Sequence, residues 1–121
     1  MTNATIELKN RSKRFALDII RLFRSLPRAE DVRIIGRQLL RAGTSVAANY
    51  RAVCRARSRA EFFAKLGTVV EEADETVSWL ELLVESGMAQ QQLVAPIAKE
   101  ASELLAIFAA SQRTARQGVK N

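Results

Sequence analysis

The sequence predicts an all-α protein folded as an up-down-up-down antiparallel four-helix bundle. Apolar residues recur at alternating steps of three and four in four long segments, and only 5 glycines and 2 prolines interrupt the 121-residue chain. The connections are about two to six residues long, which makes consecutive helices antiparallel neighbours. At this length, with 48% hydrophobic residues, we expect residues 1–121 to form one domain with its own core.

The first two helices are predicted at about residues 8–25 and 29–55. Pro27 ends the first helix, because the residue before a proline is driven out of the helical conformation. The predicted apolar stripe of the first helix contains Phe15, Ile19, Leu22 and Leu26. The stripe of the second contains Val32, Ile35, Leu39, Ala42, Val46, Asn49 and Val53.

The third and fourth helices are predicted at about residues 59–86 and 91–115. Ser58 and Glu61 form a capping box at the start of the third helix, and Gly87 suits a left-handed cap at its end. Pro96 indicates either a start or a kink of the fourth helix, and residues 116–121 are expected to fray. The two apolar stripes contain Phe62, Leu66, Val69, Ala73, Thr76, Leu80 and Leu83, and then Leu93, Ile97, Ala101, Leu104 and Phe108.

Several classes of function are disfavoured by composition. The chain has no histidine and one cysteine, which removes disulfide frameworks, Cys/His zinc sites and histidine-activated nucleophiles, and it has no glycine-rich phosphate loop. We therefore expect no enzyme, no catalytic residue, no metal and no cofactor. No segment has the ~20 apolar residues of a membrane span, and the lone thiol and charged N-terminal region favour a cytoplasmic protein without a membrane partner. Cys54 lies among arginines and is either a small packing residue or a thiol of lowered pKa.

Positive charge is concentrated in the first half of the sequence. Residues 1–60 hold 14 basic residues against 4 acidic ones, while residues 61–121 hold 5 against 9. The topology brings the start of helix one, the turn between helices two and three, and the end of helix four to one end of the bundle. This end gathers 12 cations against Glu7 and Glu61, namely Lys9, Arg11, Lys13, Arg14, Arg51, Arg55, Arg57, Arg59, Lys65, Arg113, Arg116 and Lys120.

The acidic run at residues 71–75 is predicted to form ion pairs with helix two. Antiparallel pairing about a turn near residue 56 places Arg41 opposite Glu71 and Glu72, and Arg37 opposite Asp74 and Glu75. A di-iron carboxylate site is the alternative, but such bundles supply Glu-x-x-His from two helices, and this chain has no histidine.

Small residues dominate the second half of helix two. Gly43 and Ala47 permit close approach of a neighbouring helix, either within the bundle or across a subunit interface. Asn49 interrupts the apolar stripe, where a polar residue fixes register or oligomeric state or contacts a ligand. Gly43, Ala47 and Asn49 are therefore the candidate interface residues.

The basic end is the candidate nucleic-acid site. Arginine forks bind phosphate in a bidentate manner, and the few nearby aromatic residues favour backbone contact over base recognition. Arg51, Arg55 and Arg59 are four residues apart and share one face as far as the helix continues. A merely solubilising charge and a phospholipid surface are the alternatives. The candidate binding residues are Arg11, Lys13, Arg14, Arg51, Arg55, Arg57, Arg59 and Lys65.

Residues 28–85, and residues 35–49 above all, resemble a bacterial four-helix-bundle family named for proteins encoded in intervening sequences of 23S ribosomal RNA. Members of that family are similar to the accessory protein of diversity-generating retroelements. The resemblance implies a ring-shaped homopentamer whose basic surface contacts RNA and a reverse transcriptase. Many members carry a glutamate and a glycine shortly after the asparagine, whereas this chain continues from Asn49 with Tyr50-Arg51-Ala52-Val53, which makes this end more basic.

Two functional hypotheses follow. The first is a non-enzymatic, homo-oligomeric scaffold, expected to be a pentamer, that binds RNA or another polyanion through its basic end. The alternative is a protein-interaction module that docks an acidic partner such as a reverse transcriptase without binding nucleic acid directly.

Overall fold

The computed structural model describes residues 2–120, and the side chains of residues 2–118. Four helices account for almost all of this range: α1 (Asn3–Ser25), α2 (Glu30–Val53), α3 (Arg59–Glu85) and α4 (Gln91–Lys120). No strand occurs within residues 2–120. The predicted all-α class and the number of helices are confirmed.

The helix ends show why some boundaries were predicted well. Ser58 Oγ accepts a hydrogen bond from the Glu61 N–H at 3.0 Å, as the capping box requires, so α3 begins at the predicted residue. Gly87 has a φ of +79°, in the left-handed region where a side chain would be strained. α1 begins five residues before its predicted start, because Thr2 Oγ1 accepts from the Thr5 N–H at 3.1 Å and caps an additional turn.

The fourth helix differs most from its prediction. It begins at Gln91, as predicted, and Pro96 lies in its second turn, so of the two alternatives for this proline a helix start is excluded. The helix continues through Lys120, and the expected fraying of residues 116–120 is not seen; Asn121 lies outside the described residues. Ala101, Leu104 and Phe108 of the predicted stripe are buried as expected, but in the first turn Val94 is buried in place of Leu93, which is 49% exposed.

The helices pack in sequential order around one core. α1 packs on α2, α2 on α3, α3 on α4, and α4 returns to α1 through the smallest of these interfaces. This arrangement is the predicted up-down-up-down bundle. The centre contains fully buried side chains from all four helices, including Ile19, Leu39, Leu66, Leu83 and Phe108.

Two predicted stripe positions are displaced. Tyr50 is buried and its ring lies 5.3 Å from the Phe108 ring, whereas Asn49 is only partly buried and its Nδ2 donates to the Ser45 carbonyl at 2.8 Å. The amide thus bonds its own helix instead of entering the core. Phe62 is 36% exposed, because it lies in the first turn of α3, at the edge of the bundle.

Candidate nucleic-acid interface

The basic end is assembled from four separate stretches of chain. Lys9 in α1 lies near enough to Cys54 at the end of α2 for its charge to act on the thiol. A Cβ at Gly118 in α4 would lie 3.8 Å from Arg59 Nη1 at the start of α3. The start of α1, the 54–58 turn and the end of α4 therefore meet at one end, as predicted.

Arg11 is turned away from this end toward α4. Its Nη2 and Nε atoms donate to the two carboxylate oxygens of Glu100 at 2.6 and 2.8 Å, and its Nη2 also lies 3.0 Å from Glu103. The hydrogen bond from Arg11 holds the pKa of Glu100 below its usual value. Arg11 was predicted to bind nucleic acid, but the structure shows it as the link between α1 and α4.

Lys65 also has a partner inside the chain. Its Nζ lies 2.9 Å from Glu61 Oε1, one turn earlier in α3. The hydrogen bond from Lys65 lowers the pKa of Glu61, and the Arg57 N–H assists by donating to the same carboxylate. Lys65 is therefore less available to a phosphate than its position in the sequence suggested.

The other six predicted binding residues are exposed. Within the part of the chain that the structure describes, none of them forms an ion pair. These residues are Lys13, Arg14, Arg51, Arg55, Arg57 and Arg59. Arg113 and Arg116 are also exposed on α4, while the side chain of Lys120 lies outside the described residues.

Arg51, Arg55 and Arg59 do not share a helix face. α2 ends at Val53, so Arg55 lies in the 54–58 turn and Arg59 begins α3. The helix ends there because the Arg55 and Ala56 N–H groups bond to carbonyls three residues back, in a tight final turn. Arg55, Arg57 and Arg59 therefore surround the turn, which we call the arginine turn, while Arg51 remains on α2.

Arg51 lies on a groove between α1 and α2. The groove has a volume of about 510 Å³ and its floor is made of short side chains on α2. Lys9 and Asn10 were not among the predicted binding residues. The four-residue spacing of Lys9 and Lys13, combined with antiparallel pairing of α1 with α2, is the signal that could have found Lys9. The residues that line this α1–α2 groove are Lys9, Asn10, Lys13, Thr44, Ala47, Ala48 and Arg51.

The three candidate interface residues have different environments. Gly43 is buried against α1, and a Cβ there would come within 2.8 Å of Ile19 Cγ1, so this glycine serves packing within the chain and not a subunit contact. Ala47 is half-buried in the α1–α2 groove. Asn49 is half-buried, and its amide bonds its own helix and does not enter the core.

The acidic run of α3 is held by a single arginine. Arg41 binds Glu72 at 3.2 Å and also binds Glu75, whose carboxylate accepts a hydrogen bond from the Trp79 indole at 3.2 Å. The bond from Arg41 lowers the pKa of Glu75. The prediction is confirmed for Arg41 with Glu72, whereas Glu75 pairs with Arg41 and not with Arg37. Glu71 and Asp74 are exposed and form no ion pair with a described residue. Arg37 is exposed and makes no ion pair with a described residue, because the register shifts Glu75 by about one turn.

Cys54 and Tyr50 are two side chains that could act as nucleophiles; Tyr50 is buried and Cys54 is partly buried. Burial raises the pKa of the Cys54 thiol, and the nearby Lys9 charge offsets this only in part. The suggestion of a lowered pKa for Cys54 is wrong, because its partly buried side chain packs against the core. Burial also raises the pKa of Tyr50 to about 12.

Residues 2–120 contain no group of three or more histidine, cysteine or acidic side chains placed to hold a metal ion. None of the four helices, as far as they are described, combines the length and apolar character needed to cross a bilayer.

These features define a small, basic, all-α bundle in which several cations at one end form no ion pair with another described residue. The family model described as 23S rRNA-intervening sequence protein matches residues 4–110, and the chain belongs to this family. A solved structure from Bacteroides thetaiotaomicron, described as a protein of unknown function from the S23 ribosomal protein family, has a TM-score of 0.83 and 31% identity. The match covers 90% of this chain and 97% of that one. Among curated proteins, none matches this chain.

Proposed function

We propose that this protein is a non-enzymatic, homo-oligomeric scaffold that binds RNA in the cytoplasm through its basic end. One observation carries the proposal. Arg41 pairs with Glu72 and Glu75 of α3, and Arg11 pairs with Glu100 and Glu103 of α4, while the cations of the arginine turn form no ion pair among the described residues.

The arginine turn concentrates positive charge at one end of the bundle. Arg55, Arg57 and Arg59 lie within five residues of one another, are all exposed, and share their end of the bundle with Lys13 and Arg14. Like charges at this density repel each other and raise the local potential, which draws in polyanions over a distance of about 8–10 Å. A nucleic-acid backbone supplies the compensating phosphates.

RNA is preferred over other polyanions because the family resemblance implies a basic surface that contacts RNA. The side chains available at the basic end agree with this choice, since arginine forks match phosphate oxygens and few aromatic rings are present to stack on bases. We therefore expect binding that depends strongly on salt and weakly on base sequence.

A binding role is also favoured by the state of the two candidate nucleophiles. The raised pKa values of Cys54 and Tyr50 keep both side chains protonated at neutral pH, and covalent catalysis needs the ionised form or an adjacent base.

Self-association is the second part of the proposal, and a pentamer is the form that the family resemblance implies. Large apolar side chains that a subunit contact would bury are exposed by 41–52% on each of the four helices, including Leu17, Ile34, Leu82 and Leu93. Light scattering at micromolar concentration should return five times the chain mass of 13.4 kDa. A particle of the chain mass itself would refute this part.

The arginine turn can be tested by charge reversal. Arg55→Glu with Arg59→Glu should abolish binding of a fluorescein-labelled 20-nucleotide oligouridylate in anisotropy titrations at 50 mM KCl. Arg24→Glu with Arg28→Glu is the matched control, because these exposed residues lie at the opposite end and change the net charge equally. The affinity of the control variant for the RNA should fall by less than about threefold, since the charges that it changes act on the RNA only at long range.

Two results would contradict the proposal. If both pairs of substitutions weaken binding equally while far-ultraviolet circular dichroism stays unchanged, the arginine turn has no special role. If the wild-type protein binds no RNA at low salt, the alternative, docking of an acidic protein partner such as a reverse transcriptase, is favoured instead.

A further inference from the structure

The α1–α2 groove has a cationic rim on both sides. Lys9 and Lys13 stand on α1, and Arg51 stands on α2. Lys9 and Lys13 are four residues apart and thus about 6 Å apart along the helix axis, on the same face. No lining residue is acidic, and none of the three cations forms an ion pair within the described chain.

The position of Arg11 explains why these cations are free. Residues two apart on a helix point to opposite sides, so Arg11 faces α4 while Lys9 and Lys13 face α2. Arg11 binds Glu100 and Glu103, and these are the acidic residues of α4 that would otherwise be nearest to α1. The cations of the groove therefore keep their charge available to a ligand from outside the chain.

The floor of the groove is shallow and carries few polar groups that could bind a ligand. Ala47 and Ala48 carry only methyl groups, and Thr44 Oγ1 donates to the Leu40 carbonyl at 2.7 Å. Asn10 supplies the only amide side chain among the lining residues. Such a floor lets a polymer approach the helix closely while long side chains reach it from the rim. It offers no aromatic ring for stacking and few groups for recognising base edges.

We propose that the α1–α2 groove binds the phosphodiester backbone of one RNA strand, independently of sequence. The inference rests on the proposed RNA-binding function and adds to it a second contact, on the side of the bundle, apart from the arginine turn. Lys9, Lys13 and Arg51 hold phosphates, and the methyl groups of Ala47 and Ala48 allow the strand to lie between them.

The groove is tested by removing charge without reversing it. Lys9→Gln with Lys13→Gln should raise the Kd for the labelled oligouridylate at least tenfold at 100 mM KCl. The log–log salt slope should become less steep by about 1.4, which is the contribution of two phosphate contacts on a single strand. Arg24→Gln with Arg28→Gln removes the same charge at the opposite end and should change the Kd by less than about twofold.

Shape is tested separately by Ala47→Leu, which narrows the groove and leaves every charge in place. It should weaken binding about tenfold without changing the particle mass in light scattering. A loss of binding that comes only with a change of particle mass would overturn the role of Ala47 as groove floor.

The outcomes separate the groove from the broader proposal. If the wild-type protein binds no RNA, both the groove proposal and the proposed RNA-binding function are overturned. Wild-type protein that binds RNA, with groove variants equal to the Arg24/Arg28 control, overturns the groove and leaves the arginine turn intact. Vesicles with 30% anionic phospholipid serve as the other phosphate source; binding of these, without binding of the oligouridylate, would also overturn the groove as an RNA site.

Discussion

Gly43 shows how one residue sets the distance between two helices. Its missing side chain lets α2 pack directly on Ile19 of α1, since an added Cβ would lie 2.8 Å from Cγ1 and 2.9 Å from Cγ2 of that buried isoleucine. Gly67 is a matched helical glycine in a different setting. A Cβ there meets only Gln112 Nε2 at 3.1 Å, the mobile end of a flexible side chain.

Gly43→Ala should therefore lower the free energy of unfolding by about 1–3 kcal/mol through overpacking. Gly67→Ala should leave it unchanged or raise it by up to about 1 kcal/mol, because alanine is the better helix former. Urea titrations followed by circular dichroism measure both. Equal effects at the two positions would contradict the packing assigned to Gly43.

Tyr50 provides a spectroscopic test of core burial, because it is the only tyrosine of the chain. Its pKa is raised to about 12 in the folded protein, chiefly by burial, while the unfolded chain ionises near 10. The folded state therefore holds the proton more tightly, and stability falls as pH rises from 10 to 12, by up to about 3 kcal/mol from this group. Absorbance at 295 nm, which reports the ionisation of tyrosine, should increase only at pH values well above 10. A midpoint at 10 with helicity intact would show that the ring is exposed.

At the level of the helices, Arg11 strengthens the smallest helix interface. α1 and α4 have little packing in common, and Arg11 joins them through two hydrogen bonds to Glu100 and a contact with Glu103. The pair is partly buried, so its attraction is screened less than that of a fully exposed pair.

Arg11→Met, which keeps an aliphatic side chain, should lower the free energy of unfolding by about 1 kcal/mol at pH 7. Because the pKa of Glu100 is lowered in the folded state, this contribution is complete above about pH 4.5 and is lost as the pH falls through the folded pKa. The difference between wild type and variant, measured by urea unfolding, should therefore disappear in acid. Arg21→Met, which breaks an exposed pair with Asp18, is the control and should not shift the midpoint. A difference that persists unchanged at pH 3 would contradict the ion-pair account.

The helices could be predicted from sequence because their signals are local. Steps of three and four placed most core positions, and Ser58, Glu61 and Gly87 fixed the two ends of α3. The stripe of α4 was missed only in its first turn, because Leu93 and Val94 are both apolar and only packing within the bundle separates them.

The candidate site was predicted less completely. The gathering of cations at one end follows from topology, which a four-helix pattern supplies. Topology does not predict which of these cations are neutralised, because Arg11 and Glu100 are 89 residues apart and their pairing depends on how the helices are rotated. The α1–α2 groove likewise depends on the facing of two helices, and no local pattern marks Asn10 as part of it.

For the whole molecule, the segregation of charge is the central feature. Ion pairs from Arg11 and Arg41 use acidic side chains of α3 and α4, and the surplus of positive charge remains at the arginine turn and along the α1–α2 groove. Both surfaces lie toward the same end of the bundle, so a single polyanion could contact them together.

The most direct test is the salt dependence of RNA binding by the unmodified protein. Anisotropy titrations with the labelled oligouridylate between 50 and 200 mM KCl give the slope of log affinity against log salt concentration. If each chain contacts three or four phosphates, the slope is about −2 to −3 per chain, from about −0.7 for each phosphate on a single strand. No detectable binding at 50 mM KCl, or an affinity that stays constant across this range, would contradict the account.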